Sequence, residues 1–452
     1  MRRIPVGIIL FIGTSTTCMF AQMPINSSGD QGDSVTRQPS SHTEETVQEE
    51  NSEEQPRPGV QLFSPIEYTG DQFIGLLNGS GLIPAESDTG LIFSAEVGGG
   101  WDSNPTGSSR SVSSSIYDIN PYIAFHKVST KSQFIVQYQP TFLGYSSGTY
   151  EGQTMHKASL RAGGGLSERL SWKMYIDSSY GTNGARFAAP LESVAVGEVP
   201  GTATGTASYL PDSGFVTQVF GSLETDYRNS ERGTIGFDLS NSYSSISGFD
   251  LQGGAATAGL RYSYASSSTL SLMIYGQTSH FYGDLNCESV GAGAGVAWQL
   301  GIDTALVLEA GPQMNTGGCG LRQGYSYAVK GSTRLSNKAQ FYLRANRLPM
   351  VSYLGPGTWQ LDASIGMQYR MTRSALLRAD IGYASSSALA AVSSYHGFSI
   401  NTSYDVQLNH GFLLSYSYRG YFADSGGTRS SRNLAQVSLK WTTNSGKIFQ
   451  SR

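Results

Sequence analysis

Six histidines, three cysteines and frequent serine are the residues of this chain best suited to chemistry. Nucleophilic catalysis needs serine or cysteine within hydrogen-bond reach of a base. A bound metal needs histidine, cysteine or carboxylate ligands at short, regular spacing. His42, His126, His156, His280, His396 and His410 are scattered and show no such spacing. His156 and Ser159 fall on opposite faces of an extended strand, because side chains alternate along it. The run Gly291-Ala292-Gly293-Ala294-Gly295 has no helical pattern behind it, so it reads as a strand and not as a phosphate cradle. The residue types point away from an enzyme, and no catalytic, metal or cofactor residue is expected.

The elements that carry these residues are set by composition and period. The chain has 452 residues, 55 of them Gly and 26 Tyr, with 14% charged and 39% hydrophobic side chains. Soluble domains carry about 25% charged residues and roughly 7% Gly. The mean hydropathy of -0.23 is too low for a helical membrane protein. A net charge of -4 leaves no footprint for nucleic acid. From residue 91 onward, side chains alternate with period two over segments of roughly 9 to 13 residues. Tyr117, Ile119, Pro121, Ile123 and Phe125 point one way, against Asp118, Asn120, Tyr122 and His126. Trp359, Leu361, Ala363, Ile365, Met367 and Tyr369 oppose Gln360, Asp362, Ser364, Gln368 and Arg370. Nothing repeats with the period of a propeller blade or a β-helix coil.

Counting these segments gives an all-β chain of about 18 strands over 91–442, with 16 as the alternative. Connections after even-numbered strands are short, as in Asn409-His410, whereas those after odd-numbered strands are mostly longer, up to about residues 181–214. An even count with sorted turns is expected of a closed antiparallel transmembrane β-barrel, with short periplasmic turns and long external loops. Lipid supplies no partner for backbone polar groups, so the strands must close on themselves.

Before the barrel the chain changes character. Arg2 and Arg3, the apolar run Ile4 to Ile12 and a polar stretch ending at Ala21 read as a secretory signal, 1–21. The run is too short for a membrane anchor, and the residues before Cys18 do not suit a lipoprotein site. Residues 22–60 hold eight acidic residues and two arginines, a net of -6, and read as a disordered acidic periplasmic linker. The signal contributes +2, so residues 61–452 are neutral (-4 + 6 - 2 = 0). Residues 61–90 form a pre-barrel segment that could plug or brace the periplasmic mouth, and 443–452 a C-terminal tail. Cys287 and Cys319 remain after cleavage, in external loops five and six. In an exported protein they invite a disulfide across a 32-residue separation, contributing about 3–4 kcal/mol on the chain-entropy model.

Barrels of 16–18 strands leave an aqueous channel. The inward positions expected to line it are Glu96, Asp118, Lys157, Arg161, Lys173, Asp177, Glu224, Asp238, Arg261, Glu309, Lys330, Arg344, Asp362, Arg370, Arg378, Asp380, Asp405, Arg419 and Lys440. Their signs are mixed, which argues against a ring of one charge and strong ion selectivity. The expected function is passive diffusion of small hydrophilic solutes through the outer membrane. The alternatives are an exit channel for a surface polysaccharide and a surface-exposed structural or adhesion barrel.

Gly98-Gly99-Gly100-Trp101-Asp102-Ser103-Asn104-Pro105 ends the first strand. It resembles the glycine-aromatic-Asp-Ser-Asn opening of a family of porin-like outer-membrane β-barrels, several of them associated with exopolysaccharide export. The resemblance could extend over 90–442, and it implies turn or loop-packing roles for Asp102 and Asn104. The long third connection resembles the third loop of general porins in length and order alone. Family barrels often finish on an aromatic residue read by the barrel-insertion machinery, an expected partner together with outer-membrane lipid and small solutes or saccharides. This chain ends Phe449-Gln450-Ser451-Arg452, which leaves Trp441 or Phe449 for that role.

Overall fold

Alternating apolar and polar side chains satisfy two environments at once only on an extended backbone with one face in each. The computed structural model describes residues 90–443 except 106–111, 130–131, 147–149, 183–214, 248–250, 284–285, 301–302, 319–321, 353–354, 373, 387–394, 410 and 426–427. The expected signal, linker, pre-barrel segment and C-terminal tail, apart from Gly90 and Thr443, lie outside the described residues, as do Cys18, Cys319, His42, His410, Phe449 and the third connection beyond Thr182.

Eighteen strands run in order: β1 (Gly90–Asp102), β2 (Ser114–Val128), β3 (Ser132–Tyr145), β4 (Gln153–Gly165), β5 (Leu170–Thr182), β6 (Phe215–Arg228), β7 (Gly233–Ile246), β8 (Leu251–Ala265) and β9 (Leu270–Gly283), then β10 (Cys287–Gln299), β11 (Thr304–Gly317), β12 (Arg322–Arg334), β13 (Ala339–Ser352), β14 (Gly355–Arg370), β15 (Ala375–Ser386), β16 (Tyr395–Asn409), β17 (Phe412–Ser425) and β18 (Thr428–Thr442). Each pairs antiparallel with its chain neighbours, and β1 also pairs with β18, so the sheet is closed. The strand count of 18 stands, and 16 is not needed.

Strand lengths correct the sequence reading. A strand of 14 residues, such as β7 or β9, reaches roughly 35 Å along the barrel axis at a tilt of about 40°, beyond an apolar band of about 25 Å. Past that band both faces meet water and the alternation fades, while the hydrogen-bond ladder continues. Several connections expected to be long are therefore short: 247–250, 284–286, 353–354 and 426–427 are all that separate their strands. The longer connections, 103–113, 146–152, 183–214 and 387–394, all follow odd-numbered strands.

Turns after even-numbered strands share one device. Ser129, Ser167, Ser230, Ser267 and Ser336 each accept, on Oγ, the backbone N–H three residues ahead, at 2.8–3.1 Å. A serine hydroxyl thus replaces a backbone acceptor where the chain reverses.

The wall is not evenly round. Eighteen strands spaced about 4.8 Å apart and tilted about 40° close a circle roughly 36 Å across, which would put β8 and β14 about 31 Å apart. Instead, Cα atoms of β8 and β14 approach within 8 Å, as do those of β13 with β7 and β8, and of β14 with β9. One side of the barrel is folded flat upon itself. The intervening strands, β10–β12, must make the bend, and their inner faces carry Gly291, Gly293, Gly295 and Gly311. A Cβ at Gly293 would stand 2.5 Å from the Ala310 carbonyl oxygen, and one at Gly295 2.7 Å from that of Leu308. The β10–β11 ladder is interrupted at the same place, between Gly291↔Gln313 and Ala294↔Ala310, with the register unchanged on either side. The glycine run is a strand, and its glycines are the inside of a corner.

Candidate permeation site

The two faces of the wall differ in chemistry. Outward at mid-height stand Val97, Ile119, Ile123, Leu223, Leu260, Ile274, Ile365 and Ile381, all exposed. Aromatic residues flank them: Trp101, Tyr117, Tyr180 and Phe422 toward the long-loop end, and Tyr227, Tyr264, Trp298, Tyr369 and Trp441 toward the short-turn end. An exposed apolar belt of this kind is tolerable only in lipid, and aromatic girdles mark its two interfaces. This is a transmembrane β-barrel of the outer-membrane type.

The alternation places all of the charged residues expected on the inner wall on the face opposite this belt. They fall into separate groups. At the seam, Asp118 of β2 accepts from Asn120 Nδ2 and Gln436 Nε2, with Gly98 leaving room for its carboxylate; Glu96 and Arg419 interact with it electrostatically. Lys440 Nζ lies 5.8 Å from the Tyr122 ring centroid. On β15–β17, Arg378 bridges to Asp405 at 2.9 Å, and Asp405 accepts from Ser415 Oγ at 2.5 Å. Next to that pair, Asp380 accepts from Tyr342 Oη (3.3 Å) and Asn401 Nδ2 (3.1 Å). On β14, Gln360 Nε2 donates to both oxygens of buried Asp362, at 3.2 and 3.0 Å.

On the flattened side, Arg261 of β8 bridges along the wall to Asp226 of β6 at 3.0 Å. Lys330 of β12 stands in the field of Glu309, Arg344, Glu224 and Arg261, which come from β11, β13, β6 and β8. Asp238 of β7 likewise interacts with Glu309 of β11. Facing walls thus share one charge network. On β4 and β5, Lys157, Arg161, Lys173 and Asp177 are the inner charges; Arg161 lies 5.3 Å from the Tyr175 ring, which donates to Asp177 at 3.1 Å. Arg161 and Arg370, in contrast to the buried groups, are exposed.

The Gly-Gly-Gly-Trp-Asp-Ser-Asn segment has a definite role in closure. Arg432 of β18 donates to both oxygens of Asp102, from Nε at 3.1 and 3.0 Å and from Nη2 at 2.5 Å, and the pair is 1% and 0% exposed. Ser103 exchanges two hydrogen bonds with the Asn433 backbone, and Asn104 Nδ2 donates to the Ser431 carbonyl at 2.8 Å. The expectation of turn or loop-packing residues is thereby sharpened: the segment clasps the first strand to the last. Arg432, Gln436 and Asn120 were not among the expected inner charges. Arg432 has the inward parity of Lys440, and that is the signal that finds it.

Cys287 is disulfide-bonded. It opens β10 and is buried against Ala255 and Phe281, not in a loop as expected, because pairing continues above the apolar band. His156 hydrogen-bonds Tyr138 Oη at 2.8 Å on the outer face, whereas Ser159 is buried. Among the described residues, no group of three or more His, Cys, Asp or Glu could hold a metal ion.

No family model and no curated protein matches this sequence. Among solved structures the chain is similar to a BenF-like porin from Pseudomonas fluorescens Pf-5 (10% identity, TM-score 0.43, covering 79% of this chain and 100% of that one). It is also similar to Acinetobacter baumannii OccAB4 (10%, 0.43, 80% and 99%) and to the siderophore receptor PirA from Pseudomonas aeruginosa (8%, 0.37, 79% and 81%).

Proposed function

We propose that the barrel is a passive outer-membrane channel for small hydrophilic solutes. The observation that carries this reading is the inner face, where charged and amide side chains replace the apolar belt of the outer face on most strands. Burying so many polar groups would be costly in a dry interior, and a water-filled passage removes that cost. In this reading the chain is exported by its N-terminal signal, the acidic segment 22–60 is a periplasmic tether, and the barrel reaches the membrane through the barrel-insertion machinery. The polysaccharide-exit reading asks for open aromatic faces along the inner wall. Tyr175 is engaged by Arg161 and Asp177, and Phe220 beside it is buried, so neither supports that reading. Purified full-length protein in a planar bilayer tests the proposal. Stable, ohmic conductance steps are expected; silence at every voltage overturns it.

A further inference from the structure

The geometry points to a passage confined to one side of the barrel, along the inner faces of β3–β5 and the strands opposite, while the side enclosed by β8–β14 is a packed, non-conducting wall. This rests on the channel reading. The flattening brings facing backbones within 8 Å, closer than the roughly 10 Å that separates two packed sheets. Water has no room between walls at that distance. The strands of the adjoining bend are packed on their inner faces: Met273 of β9, Ala297 of β10 and Val307 of β11 form one buried cluster, and Ser289 of β10 links Gln313 and Asn315 of β11 through buried hydrogen bonds of 2.8 and 2.7 Å. Small inner residues permit the approach, among them Gly253, Ala255 and Gly259 on β8. Charges of both signs from β6–β8 and β11–β13 meet across the contact, so they neutralise one another and do not face a solute. On the other side Arg161 of β4 is exposed, with Lys157 of β4 and Lys173 of β5 half-buried on the same inner face, whereas Arg370, the exposed cation of β14, stands at the very end of its strand. Lys157, Arg161 and Lys173 are therefore the residues that set selectivity, and Glu224, Asp238, Arg261, Glu309 and Lys330 are silent to solutes.

Single-cysteine variants of the full chain test this with a charged methanethiosulfonate, read both as mass shift and as conductance. Arg161→Cys and Lys157→Cys should label on the order of ten times faster than Ser326→Cys and Ser263→Cys, since protected sites react only through opening events. Labelling at the first two should lower conductance. Equal labelling of Ser326→Cys, or full labelling of Arg161→Cys without a change in current, overturns the proposal. A barrel that carries no current defeats the channel reading, while the mass shifts still decide the partition. Spin labels on the lipid-facing Leu260 and Ile365, which disturb no inner contact, give an independent measure. A distance distribution centred clearly below the roughly 30 Å of a round barrel is expected, and one at or above that value overturns the flattening.

Discussion

Asp102 and Arg432 are separated by 330 residues and are the most completely buried ion pair among the described residues. Neither could be left alone: an unpaired charge at a site with no water costs several kcal/mol, which is why removing one partner of a buried pair is worse than removing both. Arg432→Ala should lower barrel stability by about 3–5 kcal/mol, read as a lower urea midpoint in vesicle-bound protein. Arg432→Met combined with Asp102→Leu should recover most of the loss. Equal destabilisation by the single and double variants would show that the pair does not clasp the seam. The sequence displayed Asp102 in a recognisable setting but hid its partner. Arg432 is not among the expected inner positions, although it stands eight residues, four full alternations, from Lys440.

At the scale of the element, two devices shape the wall, and each has its own test. The serine turns hold their hairpins with one side-chain bond apiece, so Ser267→Ala or Ser336→Ala should cost about 0.5–1.5 kcal/mol, additive in the double variant because the sites are far apart. The corner glycines are stricter. Gly293→Val puts a branched side chain against the Ala310 carbonyl and the Tyr275 ring, whereas Ala292→Val faces lipid. The first should give a barrel that loses its heat-resistant compact form on gels at markedly lower temperature; the second should match the parent. Serine in successive short turns was visible in the sequence but carried little information amid so much serine. The corner was less legible still. Gly291, Gly293 and Gly295 read as a strand from period alone, and nothing local says that a strand bends around its own inner face.

For the whole molecule, the closed barrel was legible because lipid imposes a rule on every strand alike: backbone paired, apolar outside, aromatic at both interfaces. The flattening was not, since contacts between β8 and β14 join residues about a hundred positions apart with no repeating pattern. Charge balance is a property of the same scale. The acidic excess belongs to residues 22–60, and residues 61–452 sum to zero. Within the barrel, opposed charges are paired along the wall, as Arg378 with Asp405 and Arg261 with Asp226. Selectivity between small ions requires a ring of one sign at a constriction; three cations on β4 and β5 facing Asp177 are a patch, not a ring. A potassium chloride gradient across a bilayer holding the channel should therefore give a small reversal potential of anionic sign. Neutralising Lys157, Arg161 and Lys173 together should bring it to zero or reverse it, while neutralising Glu309 and Lys330 together should leave it unchanged. A large cationic reversal potential in the parent protein would place the acidic residues, and not the β4–β5 patch, at the narrowest point of the path.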